Sequence, residues 1–389
     1  MCKESNFIEE TPVQEQKAQM TDSPPRIALF LRTLGGGGAE RVLLNLAQGF
    51  VEAGLNVDLV LSAGEGLDLW QIPPKVRVVN LDAPRVSASL PALIGYLRRE
   101  RPAAIIPSLH YANEVALLAK YLSGVPTKVL IPEHNVLSRE IAFHEKGSRK
   151  HLIPLAVWLL YPLADAIVAV SKGVAEDLKT LTGLPKDRIH TIYNPVILPD
   201  LLERSQEPID HPWFKPGEPP VILGVGRLEA QKDFPTLIRA FARIRQVLPA
   251  RLMIIGWGPD RPKLESLIQE LGIEADVDLP GFIGNPVPYM TKASVFALSS
   301  AWEGLPTVLI EAMAVGVPVV STNCESGPDE ILNHGQYGVL VPVGDDQILA
   351  DAILKVLAGQ LKPVSPEWLE QFTLKSATQC YLDLLNLLQ

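Results

Sequence analysis

Short apolar runs alternate along the chain with stretches patterned at helical spacing. RIALFLRTL ends in Gly35 to Gly38 and is followed by AERVLLNLAQGFVEAG. VDLVLS, VRVVNL, AAIIPS, KVLIPE, AIVAVS and IHTIYN continue the series, separated by helical segments. Runs that are apolar nearly throughout predict strands buried on both faces of a parallel sheet. A second series opens at Val221 with VILGVGRL, LMIIGWGP, VDLPGF, SVFALSS, VPVVST and YGVLVP. Between the two lies ERSQEPIDHPWFKPGEP, rich in proline and charge, which is linker chemistry. The pattern predicts an α/β chain of two doubly wound, Rossmann-like parallel-sheet domains, residues 26–202 and 220–365, facing a cleft across a linker at 203–219. Residues 366–389 read as a final helix, and its packing back on the first domain is left open. Ser171 is expected to cap the helix SKGVAEDLKTL.

Composition narrows the picture. A chain of 389 residues, 47% apolar and 20% charged, suits a two-domain globular enzyme. Cys2, Cys324 and Cys380 are too scattered for a metal motif and fit a reduced, cytoplasmic chain. The first 25 residues carry no signal-like apolar segment and read as a disordered tail. The net charge of −9 argues against nucleic-acid binding. It is unevenly spread: about +3 over residues 26–200 and about −9 over 201–389, so the first half suits an anionic surface better than the second.

The most informative chemistry is AWEGLPTVLIEAMAVGVPVV, which carries Glu303 and Glu311. A carboxylate in an apolar run is costly to bury unless it serves a partner or ligand. Pro306 suits a first helical position, so Glu303 is expected in a loop and Glu311 inside the helix. Their separation of roughly 12 Å along the axis rules out a close acid pair. It suits a grip on two ends of an elongated ligand such as a nucleotide-sugar.

Other candidates cluster at strand ends. Gly35 to Gly38 lets backbone approach an anion at a helix N-terminus. It lacks the dinucleotide spacing, because Arg41 stands where a third glycine would fall. Arg227 and Lys232 follow the strand opening the second domain and could neutralise a diphosphate. His134, in IPEHN, ends a strand of the first domain and could bond a substrate hydroxyl. His110 is a weaker candidate of the same kind. Asp276 and Asp278 match a DxD pattern but enter a short buried strand, which favours a structural role. RKHLIPLAVWLLYPLADAIV offers Arg149, Lys150 and His151 ahead of Trp158 and Tyr161. It could dock on an anionic membrane, although a buried helix feeding the next strand is the preferred reading.

The chain resembles family 4 of the retaining glycosyltransferases, of GT-B fold, over nearly all residues from 26 to 389. The likeness rests on Glu303 to Glu311 in WEGLPTVLIEAMAVGVPVV, on Gly226-Arg227-Leu228 with Lys232, on GGGGAERVLLNLA, and on IYNPV and SGPDEIL. It implies that Glu311 binds the donor ribose and Glu303 the donor-sugar hydroxyls. It places Arg227 and Lys232 on the diphosphate, and Gly37 and Gly38 near phosphate or sugar. Backbone N–H groups at Gly304, Leu305 and Thr307 would hold the donor, Phe282 and Ile283 would lie near the base, and His134 matches the family's active-site histidine. EGLP replaces the EFG of many members, which bears on donor-sugar choice. The resemblance implies transfer of a hexose or N-acetylhexosamine, from UDP, to a saccharide or lipid-linked saccharide. It implies no metal, no cofactor and work at the inner face of the membrane. Two rivals remain at this stage. A nucleotide-sugar epimerase would isomerise the donor without acceptor, and a non-catalytic sensor would have no use for so many charged cleft residues.

Overall fold

A computed structural model describes residues 24–34, 37–65, 72–143, 153–360 and 362–387. The expected N-terminal tail up to residue 23, Gly35, Gly36, and the Arg149–His151 basic run lie outside the described residues.

The first sheet is built from β1 (Arg26–Leu31), β2 (Asn56–Leu61), β3 (Val76–Asn80), β4 (Ala104–Pro107), β5 (Lys128–Glu133), β6 (Ala166–Ala169) and β7 (Ile189–Thr191). Its order is β3-β2-β1-β4-β5-β6-β7, and every pairing is parallel. Its helices are α1 (Gly38–Glu52), α2 (Leu90–Glu100), α3 (His110–Ser123), α4 (Leu137–Phe143), α5 (Ile153–Leu160) and α6 (Lys172–Thr182). After α7 (Leu201–Arg204) the second sheet begins: β8 (Val221–Val225), β9 (Arg251–Ile255), β10 (Val277–Gly281), β11 (Val295–Leu298), β12 (Val319–Thr322) and β13 (Val339–Val341). Its order is β10-β9-β8-β11-β12-β13, again parallel. The remaining helices are α8 (Phe234–Arg245), α9 (Arg261–Leu271), α10 (Val287–Lys292), α11 (Thr307–Ala314), α12 (Pro328–Ile331), α13 (Asp346–Leu357), α14 (Pro366–Leu369) and α15 (Leu374–Leu385).

Local sequence accounts for these elements. The inner strands are buried at every position in β4, β6, β8, β11 and β12, which is why their sequences do not alternate. In α8, Phe234, Leu237, Ile238, Phe241 and Ile244 form one buried stripe at helical spacing. Ser171 caps α6 through its side chain, which accepts from the Val174 N–H. Pro306 proves to be the cap of α11 and not its first residue, since the helix starts at Thr307. An extended ψ of 99° at Pro306 delays the turn by one position.

Both sheets reverse their winding beside the strand that opens them, at β1/β4 and at β8/β11. Ligands bind in this architecture beyond the strand carboxyl ends at such switch points. The glycine run follows β1, the Arg227–Lys232 loop follows β8, and Glu303 follows β11.

The chain end crosses to the first domain. The Val196 and Ile197 N–H groups donate to the Phe372 carbonyl, both at 3.0 Å. Tyr381, Leu382 and Leu385 of α15 share a buried cluster with Leu43 and Phe50 of α1. A Cβ on Gly49 would lie 2.0 Å from Thr378 Oγ1, so the two helices meet closely where α1 has no side chain. The linker also packs: Phe214 rests edge-on against Tyr289, and the Arg251 guanidinium lies over the Trp213 ring.

Candidate functional site

Glu303 is buried in the loop after β11, at 4% exposure. Its Oε1 accepts from Lys232 Nζ at 2.5 Å and from Ser300 Oγ at 2.6 Å. Lys232 ends a 3₁₀ turn after β8, and its stem packs over Gly226, where a Cβ would come within 3.2 Å. The two loops are laced together. The Ala301 N–H donates to the Gln231 carbonyl at 2.8 Å, and Ser299 Oγ to the Lys232 carbonyl at 2.8 Å. The carboxylate and ammonium expected on separate parts of a ligand therefore touch each other.

Glu311 lies inside α11 and is 1% exposed. Its Oε1 is met by Arg41 Nη2 at 2.8 Å, across the domain boundary from the first turn of α1. Its Oε2 is buried and has no hydrogen-bond partner among the described residues. A narrow crevice of about 10 Å³, room for about one water, is lined here by Gly38, Arg41, Asn45, Thr307 and Glu311. Gly37 is the extended N-cap of α1, and a Cβ on Gly38 would meet nothing within 4 Å, so the chain is open to an approaching group at that point.

His134 follows β5, and both its ring nitrogens are buried with no hydrogen-bond partner among the described residues. Burial pushes its pKa down to about 4, so the imidazole is neutral at physiological pH. Its carbonyl packs directly on the second domain: a Cβ on Gly304 would lie 1.9 Å from it. Any larger residue at 304 would push the domains apart. Beside this contact Ser326 Oγ donates to the Gly304 carbonyl at 2.9 Å and meets Ser171 Oγ at 2.8 Å. Glu330 accepts from the Lys172 N–H at 3.0 Å and from Tyr193 Oη at 3.1 Å. Arg139 bonds Glu325 at 2.5 Å. The two domains are joined along this seam.

The other sequence candidates fall as follows. Arg227 stands at the end of β8 but its guanidinium, 60% exposed, pairs with Glu229 at 2.8 Å and not with the Lys232–Glu303 centre. Leu305 is buried, Thr307 opens α11, Ile283 is half-buried, and Phe282 is exposed beyond β10. His110 opens α3, and its side chain lies outside the described residues. Asp276 is taken up by Arg245 and Arg251, and Asp278 by His211. Tyr161 and Trp158, named together in the aromatic-apolar stretch read preferentially as a buried helix, separate. Tyr161 is fully buried and donates to Glu133, whereas Trp158 is exposed. Burial and the Glu133 charge raise the Tyr161 pKa. Cys324, near Glu303, is pushed up to about 12 by burial and stays a thiol.

Sequence reasoning assigned no individual role to Arg41, Ser300, Ser326 or Glu330, although Arg41, Ser326 and Glu330 lie in the motifs GGGGAERVLLNLA and SGPDEIL. Arg41 carried a signal: it is a lone cation between the glycine run and the apolar VLLNLA.

Residues 36–198 match the profile described as Glycosyltransferase Family 4, and residues 205–368 the one described as Glycosyl transferases group 1. The chain is 30% identical over 342 residues to the N-acetylgalactosamine-N,N'-diacetylbacillosaminyl-diphospho-undecaprenol 4-alpha-N-acetylgalactosaminyltransferase of Campylobacter jejuni, covering 85% of this chain and 90% of that protein. It is 28% identical over 363 residues to the lipopolysaccharide core biosynthesis glycosyltransferase LpsE of Rhizobium meliloti, covering 90% and 96%. Among solved structures, Anabaena HepE in complex with UDP superimposes with a TM-score of 0.73 over 93% of this chain and all of that one, at 21% identity. That likeness speaks to fold, and together with the two parallel sheets it makes the fold GT-B. With both halves of the chain matched in order and a relative aligned over nine-tenths of its length, the protein belongs to the group 1, family 4-type glycosyltransferases.

Proposed function

We propose that the protein transfers a hexose or N-acetylhexosamine from a UDP-sugar, with retention, to a hydroxyl of a saccharide or lipid-linked saccharide in surface-polysaccharide synthesis. The observation that carries this reading is the pair of buried carboxylates at the switch point of the second sheet. Each is held by a cation, and Glu311 keeps one oxygen unpaired among the described residues. A ribose hydroxyl donating to Glu311 Oε2 satisfies that orphan. Glu303, oriented by Lys232 and Ser300, takes hydroxyls of the donor sugar. The UDP in solved relatives of this fold and the diphospho-undecaprenol in the name of the Campylobacter relative support the donor and acceptor classes.

In this reading the bond from the anomeric carbon to the diphosphate breaks as the acceptor oxygen bonds to the same face. A phosphate oxygen takes the acceptor's proton. Lys232, together with Arg227 once it leaves Glu229, meets the charge on the departing diphosphate, and the Gly304–Thr307 backbone holds its oxygens. Neutral His134 supplies a hydrogen bond to the sugar and not a charge. The seam between the domains excludes water. The substrates are the only small molecules the reading requires, and the enzyme works at the inner face of the membrane.

The test is UDP or GDP release from a panel of sugar nucleotides with a lipid-linked acceptor, for wild type and Lys232→Ala. Loss of one charge-stabilising donor predicts a fall in kcat of on the order of 10²–10³-fold with unchanged circular dichroism. Near-normal transfer by Lys232→Ala would overturn the assignment, and an isomerised donor without acceptor would favour an epimerase.

A further inference from the structure

Arg41 occupies a position that its own helix does not favour. It closes the first turn of α1, where the helix dipole opposes a cation. Asn45 stands one turn further along the same face, and its Nδ2 donates to the Pro195 carbonyl at 2.7 Å. That bond anchors the polar edge of α1 to the segment leaving the first domain. The neighbouring Val42, Leu43 and Leu46 are buried in the core of the first domain. Arg41 instead crosses the boundary, and its guanidinium meets Glu311 Oε1 at 2.8 Å.

Glu311 gets no comparable help from its own domain. It is flanked in α11 by Ile310 and Ala312, both fully buried, and Arg41 is its one ion-pair partner among the described residues. Lys232 of the second domain is engaged by Glu303. The last torsion of a glutamate is broad, so a carboxylate left free turns readily. Pinned through one oxygen, it has the direction of the other fixed. Arg41 thereby aims Oε2, the buried oxygen with no hydrogen-bond partner among the described residues. The crevice of about 10 Å³ lined by Gly38, Arg41, Asn45, Thr307 and Glu311 admits a hydroxyl and not a sugar ring. A ribose at its mouth would reach in with one hydroxyl.

We propose that Arg41 is a positioning residue for the nucleotide ribose: it holds Glu311 from the first domain, so that Oε2 is aimed only while the two domains are docked. The ribose site is then shared, with the acid from one domain and its orienting cation from the other. The proposal rests on the reading of Glu311 as the ribose acid, and adds that this acid is misdirected without the first domain.

The test is calorimetric titration of the full chain with UDP and with 2′,3′-dideoxy-UDP, which keeps base and diphosphate but lacks the ribose hydroxyls. Wild type should prefer UDP by roughly tenfold to a hundredfold, the range of one charge-assisted hydrogen bond. Arg41→Met should flatten that preference to roughly threefold or less. It should bind the dideoxy nucleotide as wild type does, which also shows that it is folded. Arg41→Lys should recover part of the preference, because lysine supplies the charge without the fork. In a Glu311→Gln background Arg41→Met should change nothing further, since the two side chains act as one unit. If Arg41→Met does not fold, the shorter and uncharged Arg41→Gln is read by the same criteria. Equal loss of affinity for both nucleotides overturns the proposal, because Arg41 would then serve the diphosphate or the fold. So does a further loss in the Glu311→Gln background. Discrimination by wild type that survives in Arg41→Met sinks only the role of Arg41. Equal binding of the two nucleotides by wild type, or binding of neither, sinks the donor reading and this role with it.

Discussion

Two buried carboxylates, Asp58 in the first sheet and Glu311 at the cleft, solve the same problem in different ways. Asp58 is fully buried and saturated. Its Oδ1 accepts from Arg26 at 2.7 Å and Arg77 Nε at 2.9 Å, and its Oδ2 from Arg77 Nη2 at 2.5 Å and Tyr96 Oη at 2.7 Å. Among the described residues Glu311 has a single cation on one oxygen and no partner on the other. His134, across the cleft, leaves both nitrogens unpaired among the described residues. Folding alone does not tolerate such groups well, since an unsatisfied buried polar atom costs about 1–3 kcal/mol. The contrast teaches that bonding capacity is filled where the fold needs it and, on the proposed reading, held open where the donor would complete it.

The sharpest way to break this comparison is to remove each acid. We predict that Asp58→Ala, which strands two arginines and a tyrosine, lowers unfolding free energy by about 3–5 kcal/mol and leaves kcat of the folded fraction unchanged. Glu311→Gln should show the reverse: a fall in UDP affinity of roughly tenfold to a hundredfold, as one charged hydrogen bond is lost, with stability changed by less than about 1 kcal/mol. Urea unfolding and calorimetric titration with UDP measure both. If Glu311→Gln unfolds as readily as Asp58→Ala and still binds UDP normally, Glu311 is structural and the contrast collapses.

Much of this arrangement was readable in the chain. Strands buried on both faces have no polar face to interrupt them, so both sheets stood out as apolar runs. Glu303 and Glu311 were conspicuous because a carboxylate inside such a run needs a reason. Arg41 was noted only for breaking the glycine spacing, because its partner comes from the other domain and only docking of the two sheets brings Arg41 to Glu311. Arg227 was placed correctly at a strand end, but its side chain turned to Glu229, two residues on, a local competition that position does not reveal. Tyr161 and Trp158 were read as one aromatic stretch. They part because Tyr161 sits where α5 passes into a 3₁₀ turn, and its hydroxyl finds Glu133 inside.

The pH dependence sharpens the comparison at His134. Its folded pKa of about 4 lies below the ordinary value near 6.5, so the unfolded chain binds the extra proton first. Stability is therefore full above about pH 6.5 and falls as the pH drops towards 4. The expected loss between neutral pH and pH 5 is about 2 kcal/mol. His134→Asn should lack this share of the decline when urea midpoints are compared at the two pH values. Equal declines in both proteins would mean that the imidazole is solvated and not held empty for a substrate.

The smallest expected effect concerns the third member of the cleft. Glu303 gathers two donors on Oε1, Lys232 and Ser300, so it lies between the saturated Asp58 and the half-open Glu311. Ser300→Ala removes the neutral donor and leaves the ion pair. One such hydrogen bond is worth about 1 kcal/mol, or roughly a fivefold loss of kcat/KM, because Lys232 still orients the carboxylate. The loss should fall on kcat if Glu303 orientation matters most in the transition state, and on KM if it only holds the ground-state sugar. A drop as large as that of Lys232→Ala would place Ser300 itself on the substrate. No drop at all would show that the ammonium alone fixes Glu303, and that the hydroxyl belongs with the saturating bonds of the fold.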